Sequence, residues 1–170
     1  MKGINKVALA LLVMAAGYNV ASAAPLNINI TGTVISSPCT VNNSTDDLNV
    51  SLGNNIQAAS LATAGSGSTP SPFNLTLTSC PTGTSNVTVT FSGTADAIQT
   101  NMYKNTGLAT PLAVELSSGA TILGNTSTLT QPVQADKTVT YALSARAVTA
   151  SGNVMPGSIS AVVQANFTYN

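Results

Sequence analysis

The run Gly157-Ser158-Ile159-Ser160-Ala161-Val162-Val163-Gln164-Ala165-Asn166-Phe167-Thr168-Tyr169-Asn170 carries the plainest structural signal in this chain. Ile159, Ala161, Val163, Ala165, Phe167 and Tyr169 alternate with Ser158, Ser160, Val162, Gln164, Asn166 and Thr168. A period of two places the odd-numbered set on one face of a β-strand and the even-numbered set on the other. Gly157 stands ahead of the alternation and Asn170 ends it.

The same period runs back through the chain. Leu48, Val50 and Leu52 alternate with polar neighbours, as do Phe73, Leu75 and Leu77, then Val87, Val89 and Phe91. Leu112, Val114 and Leu116 repeat it, followed by Val139, Tyr141 and Leu143. Thr and Val, which suit a pleated and half-buried surface, are abundant. Pro81-Thr82-Gly83, Ser92-Gly93, Ser117-Ser118-Gly119 and Ser151-Gly152-Asn153 read as turns between these runs. Residues 62–72, rich in Ala, Gly, Ser, Thr and Pro, read as a loop, and residues 117–137 leave loop and short edge strand both open. Several short strands with one apolar face each predict an all-β fold, an antiparallel β-sandwich of immunoglobulin-like architecture.

The start of the chain reads as an address. Residues 1–6 carry Lys2 and Lys6, residues 7–16 form an apolar run, and Ala21-Ser22-Ala23 is a small-residue cleavage site. The apolar run is too short to span a bilayer, so residues 1–23 are expected to be a secretory signal peptide cleaved after Ala23. Export bears on Cys39 and Cys80, the two cysteines of the chain. An even count in an oxidising compartment reads as one disulfide. The chain-entropy model gives it roughly 4 kcal/mol for a loop of this size. A metal site would need further ligands, and the chain contains no histidine.

Charge and composition narrow the function classes. Beyond residue 23 the basic residues are Lys104, Lys137 and Arg146, against Asp46, Asp47, Asp96, Glu115 and Asp136, a net charge of about −2. No basic patch is available for nucleic acid or anionic lipid. Without histidine or a free thiol, Ser-His and Cys-His nucleophiles are excluded. No motif supports a Ser–Lys pair built on Lys104 or Lys137. The adjacent Asp46 and Asp47 would point to opposite faces of a strand, which does not suit a glycosidase pair. The expectation is a non-enzymatic protein without a cofactor.

The residues ahead of the first cysteine alternate as cleanly as the last strand. Leu26, Ile28 and Ile30 are interleaved with Asn27, Asn29 and Thr31, and Gly32 and Val34 continue the same face. Read alone, this is an ordinary first strand. Together with the glycine fourteenth from the end and the tyrosine next to last, it resembles the subunits of chaperone–usher fimbriae, the pilins. Ser37-Pro38-Cys39-Thr40-Val41 and Thr78-Ser79-Cys80-Pro81 also resemble the paired cysteines of that family. Ser92-Gly93-Thr94-Ala95-Asp96, Tyr103-Lys104-Asn105 and Ala145-Arg146-Ala147 look like stretches of its type 1-like members, particularly small tip adaptors. One departure is that Ala161 and Ala165 are small for groove-lining positions.

The resemblance implies an incomplete immunoglobulin-like sandwich with three segments: residues 1–23 as signal peptide, 24–34 as a donor-strand extension, and 35–170 as the pilin domain. It implies that Leu26, Ile28, Ile30, Gly32 and Val34 leave their own domain and complete the sandwich of a neighbouring subunit. Gly157, Ile159, Ala161, Val163, Ala165, Phe167, Tyr169 and Asn170 would then edge the groove that receives such a strand. The implied partners are other fimbrial subunits, a periplasmic chaperone that grips this C-terminal strand, and an outer-membrane usher. The implied location is a cell-surface fimbria, reached through the periplasm and supporting adhesion. A secreted carbohydrate-binding sandwich is the competing reading. Sugar platforms favour exposed aromatics, whereas beyond residue 23 the chain has no tryptophan and only Tyr103, Tyr141 and Tyr169 as tyrosines.

Overall fold

A computed structural model describes residues 31–33, 38–41 and 47–170. The chain divides into two units, Met1–Thr33 and Val34–Asn170; the architecture below is that of the second.

Its strands are β1 (Thr40–Val41), β2 (Ser71–Thr78), β3 (Asn86–Gly93), β4 (Tyr103–Lys104), β5 (Ala113–Ser118), β6 (Thr121–Ile122), β7 (Thr128–Pro132), β8 (Val139–Val148) and β9 (Val163–Tyr169). One sheet runs β1-β2-β8-β5-β4, with β6 paired to β5, and the other runs β7-β3-β9. Each of these pairings is antiparallel. Helical structure among the described residues is one 3-10 turn, Ala58–Leu61.

The alternation in the sequence becomes the two faces of each strand. In β8, Val139, Tyr141, Leu143, Ala145 and Ala147 are buried, while Thr140 and Ala142 are exposed. The core is shared between the sheets: Leu75, Leu77, Val139, Tyr141 and Leu143 from one meet Val87, Val89 and Phe91 from the other. Burying such side chains contributes roughly 1.5–3 kcal/mol each before entropy is counted. The Tyr141 hydroxyl crosses the core to donate to the Val87 carbonyl at 2.8 Å. Cys39 and Cys80 form the disulfide, with their α-carbons 4.3 Å apart, and fasten the start of β1 to the end of β2. On the outer face of the larger sheet, Arg146 forks onto Glu115 through Nε and a terminal nitrogen at 2.8 and 2.9 Å. That bidentate bond holds the guanidinium above its ordinary pKa.

Three local readings change. Ser92-Gly93 is no turn: β3 runs through Gly93, where a β-carbon would lie 2.9 Å from both the Tyr103 ring and the Val162 carbonyl. Glycine stands there because of that close approach. Residues 48–52 alternate but form no strand. Of their apolar side chains, Leu52 packs onto a second cluster of Leu61, Leu112 and Val154, while Leu48 stays exposed. Residues 117–137, left open by the sequence, hold β6 and β7.

A groove beside the final strand

The smaller sheet ends at β9, and the backbone register decides what that edge offers. Asn86 and Asn170 exchange both backbone hydrogen bonds, at 3.1 and 3.0 Å. The ladder continues as Thr88 opposite Thr168, Thr90 opposite Asn166 and Ser92 opposite Gln164. Antiparallel ladders alternate, so the even residues of β9 spend their backbone groups on β3. Val163, Ala165, Phe167 and Tyr169 aim theirs at the opposite edge, where no strand pairs among the described residues. The same four side chains are half-buried, while Gln164, Asn166 and Thr168 are exposed.

Beside that edge lies a groove of about 1550 Å³. Phe73, Leu75, Phe91, Leu116 and Leu143 line its interior, contributed by both sheets. Ile159, Ala161, Val163, Ala165 and Phe167 form one wall, and residues 47–58 supply another. The second wall is tied to β2 where the Ser71 hydroxyl donates to the Ser51 carbonyl at 2.8 Å. Asp47 is the one charged side chain among the described lining residues. Such a trough suits an extended, uncharged segment whose alternate side chains are apolar, because strand addition pairs the edge while pockets take every second residue.

One end of the groove is built by residues that periodicity does not reveal. Asn105 is buried; its Oδ1 accepts from the N–H groups of Gly107 and Ser160, both at 2.9 Å, and its Nδ2 donates to the Ala109 carbonyl at 2.6 Å. Thr106 N–H donates to the Ser160 carbonyl and Ala109 N–H to the Ser158 carbonyl. Residues 105–109 therefore hold the approach to β9 on the side that β3 occupies farther along. Two glycines allow this contact: a β-carbon on Gly107 would collide with the Ser158 carbonyl oxygen, and one on Gly157 would stand 2.5 Å from Ala109 N.

At the other end Tyr169 packs its ring against the core that contains Cys39. Burial raises its phenol pKa, and a hydrogen bond from the Cys39 backbone pulls the other way. Tyr141, fully buried nearby, is pushed up to about 12, first by desolvation and then by Tyr169.

Comparison with known proteins agrees with this geometry. The family described as Fimbrial protein matches residues 28–170. The chain belongs to that family. It is 38% identical to Protein FimG of Escherichia coli over 150 residues, covering 87% of each chain. It is 40% identical to the S-fimbrial adhesin protein SfaS of Escherichia coli over 154 residues, covering 88% of each. Among solved structures, the P pilus rod subunit PapA superposes with a TM-score of 0.65 at 19% identity, over 79% of this chain and all of that one. A chaperone–usher pilus subunit superposes at 0.64 and 20%, covering 86% of this chain and 96% of the other. The fold is thus that of the chaperone–usher pilins.

In this fimbrial protein the predicted C-terminal set lies along β9 and the segment that leads into it. Half-burial and exposure alternate without a break from Ile159 to Asn170. Regular strand starts only at Val163, because Ser158 and Ser160 bond to residues 105–109 and β3 has already ended at Gly93. Ala161 and Ala165, small for such positions, both reach the lining and leave room there. Of the N-terminal set, Leu26, Ile28, Ile30 and Val34 lie outside the described residues; Gly32 is described and exposed. Asn105 and Gly107 were missed as site residues. The signal for them was a local Asn-Thr-Gly turn sequence, which does not reveal a bond to residues more than fifty positions away.

Proposed function

We propose that this chain is a structural subunit of a bacterial surface fimbria that receives, in the groove beside β9, the N-terminal extension of a neighbouring subunit. The observation that carries this reading is the pairing of a backbone edge, on which no strand lies among the described residues, with half-buried apolar side chains at Val163, Ala165, Phe167 and Tyr169. Residues 24–34 have the complementary character: Leu26, Ile28, Ile30 and Val34 are apolar at alternate positions, with Gly32 interrupting the face. Burying four such side chains would contribute on the order of 6–12 kcal/mol before association costs, with ladder bonds in addition. Family membership supports export through the periplasm to the cell surface, and the relatedness to an S-fimbrial adhesin supports a part in adhesion.

An exposed strand edge above apolar side chains invites aggregation. A periplasmic chaperone lending a strand to this groove, and an outer-membrane usher exchanging it for an extension, would cover the edge at every stage before assembly. The interior of the groove is lined by Phe73, Leu75, Phe91, Leu116 and Leu143, which offer a sugar no hydrogen-bond partner, and this weighs against the carbohydrate-binding alternative. A subunit lacking residues 24–34 is expected to accept a neighbour but not to donate. Added to full-length subunits during assembly, it should terminate chains and shorten fibres in proportion to its fraction. Fibre lengths unaffected by it would contradict the reading.

A further inference from the structure

At the Gly157 end of the groove two large apolar side chains face outward. Leu108 is 77% exposed and Met155 is 60% exposed. They sit on facing segments: Met155 N–H donates to the Thr110 carbonyl, and a β-carbon on Gly157 would lie 2.8 Å from Leu108 Cβ. Pro156, between Met155 and Gly157, is also exposed. Met155 and Pro156 lie on the groove lining, so the patch is continuous with the groove mouth. The opposite end differs: Thr82, Gly83, Ser85, Asn86 and Asn170 are exposed there and none is a large hydrophobe.

The length of the chain supplies the occupant. In a neighbour of the same sequence, five residue steps separate Val34, the last position of the extension, from Cys39, which the disulfide fixes to its own domain. Fully extended, five steps reach about 17 Å. A folded domain must therefore stand against one end of any groove that holds its extension. We infer that Leu108, Met155 and Pro156 form the seat on which the domain of that neighbouring subunit rests, so that the joint between subunits is a domain contact as well as a shared strand. This rests on the groove reading above. The seat makes the joint stiffer than a tether of four residues.

The test uses a two-subunit assembly of full-length chains, spin-labelled once on each domain, with the inter-domain distance distribution read by double electron–electron resonance. The variants are L108S, M155S and the double change. Both side chains are exposed, so the subunit's melting temperature is expected to stay within a few degrees of wild type. Leu108 lies off the groove lining, so the affinity of L108S for a synthetic peptide of residues 24–34 is expected to change less than twofold, while L108S alone broadens the distance distribution and the double variant broadens it at least twofold. An unchanged distribution overturns the seat. Variants that leave the joint unchanged but weaken the chaperone complex would reassign the patch to the chaperone, and overturn it equally. If wild-type subunits bind neither the peptide nor one another, the groove reading itself fails and the seat with it.

Discussion

The hydroxyl of Tyr141 on β8 donates to the carbonyl of Val87 on β3 at 2.8 Å, joining the two sheets through the middle of the core. Val87 also stands opposite Tyr169 in the β3–β9 ladder. One side-chain hydrogen bond thus links the larger sheet to the strand that neighbours the groove edge. Tyr141→Phe removes the donor and keeps the ring. The expected loss is about 1–2 kcal/mol, since a buried carbonyl forfeits a partner. Thermal or urea unfolding checks it, and a variant as stable as wild type would show the bond to be dispensable.

Alkaline pH should act on the same residue. Tyr103 and Tyr141 are buried, and desolvation pushes each phenol from 10.0 to about 12. A raised pKa means that the folded state holds its proton where the unfolded chain releases it. The contribution is therefore fully present below pH 10 and is lost as pH rises from about 10 to 12. Stability measured across pH 8–12 is expected to be flat below 10 and to fall above it, by on the order of 2–3 kcal/mol per phenol. In Tyr141→Phe the fall should be shallower. An identical fall in both proteins would remove Tyr141 from the account.

How much of this was legible in the sequence depends on whether the signal was local. Period-two alternation marked β2, β3, β8 and β9 because each has one more buried face, and the odd set from Ile159 to Tyr169 emerged half-buried; β5 alternates in sequence although Ala113 to Ser117 are buried on both faces. The same alternation misled at Leu48, Val50 and Leu52, where the segment packs on one side without a ladder partner. Ser92-Gly93 imitated a turn because glycine there answers to the distant Tyr103 ring rather than to its own backbone. Asn105 was invisible for the same reason: its partner Ser160 lies 55 positions away. The groove as a cavity was legible only through family resemblance, since no local pattern records a missing strand.

Two glycines should separate folding from assembly. Gly157→Ala sets a β-carbon 2.5 Å from Ala109 N and from the Leu108 carbonyl carbon, so backbone must shift. A loss of about 1–3 kcal/mol is expected, as for an overpacked site. Gly32 is exposed, with nothing within 4 Å of a β-carbon. Gly32→Val should leave the subunit's unfolding within about 0.5 kcal/mol of wild type while stopping chain growth. Unfolding curves alongside fibre yield test both. A destabilised Gly32→Val protein would mean that the extension belongs to its own domain.

The most direct test takes protein lacking residues 24–34 and records its thermal unfolding with and without a synthetic peptide of those residues. An incomplete sandwich completed in trans predicts a rise in melting temperature of many degrees, lost slowly when free peptide is removed. A melting temperature indifferent to the peptide would contradict the account, because the edge of β9 would then need no added strand.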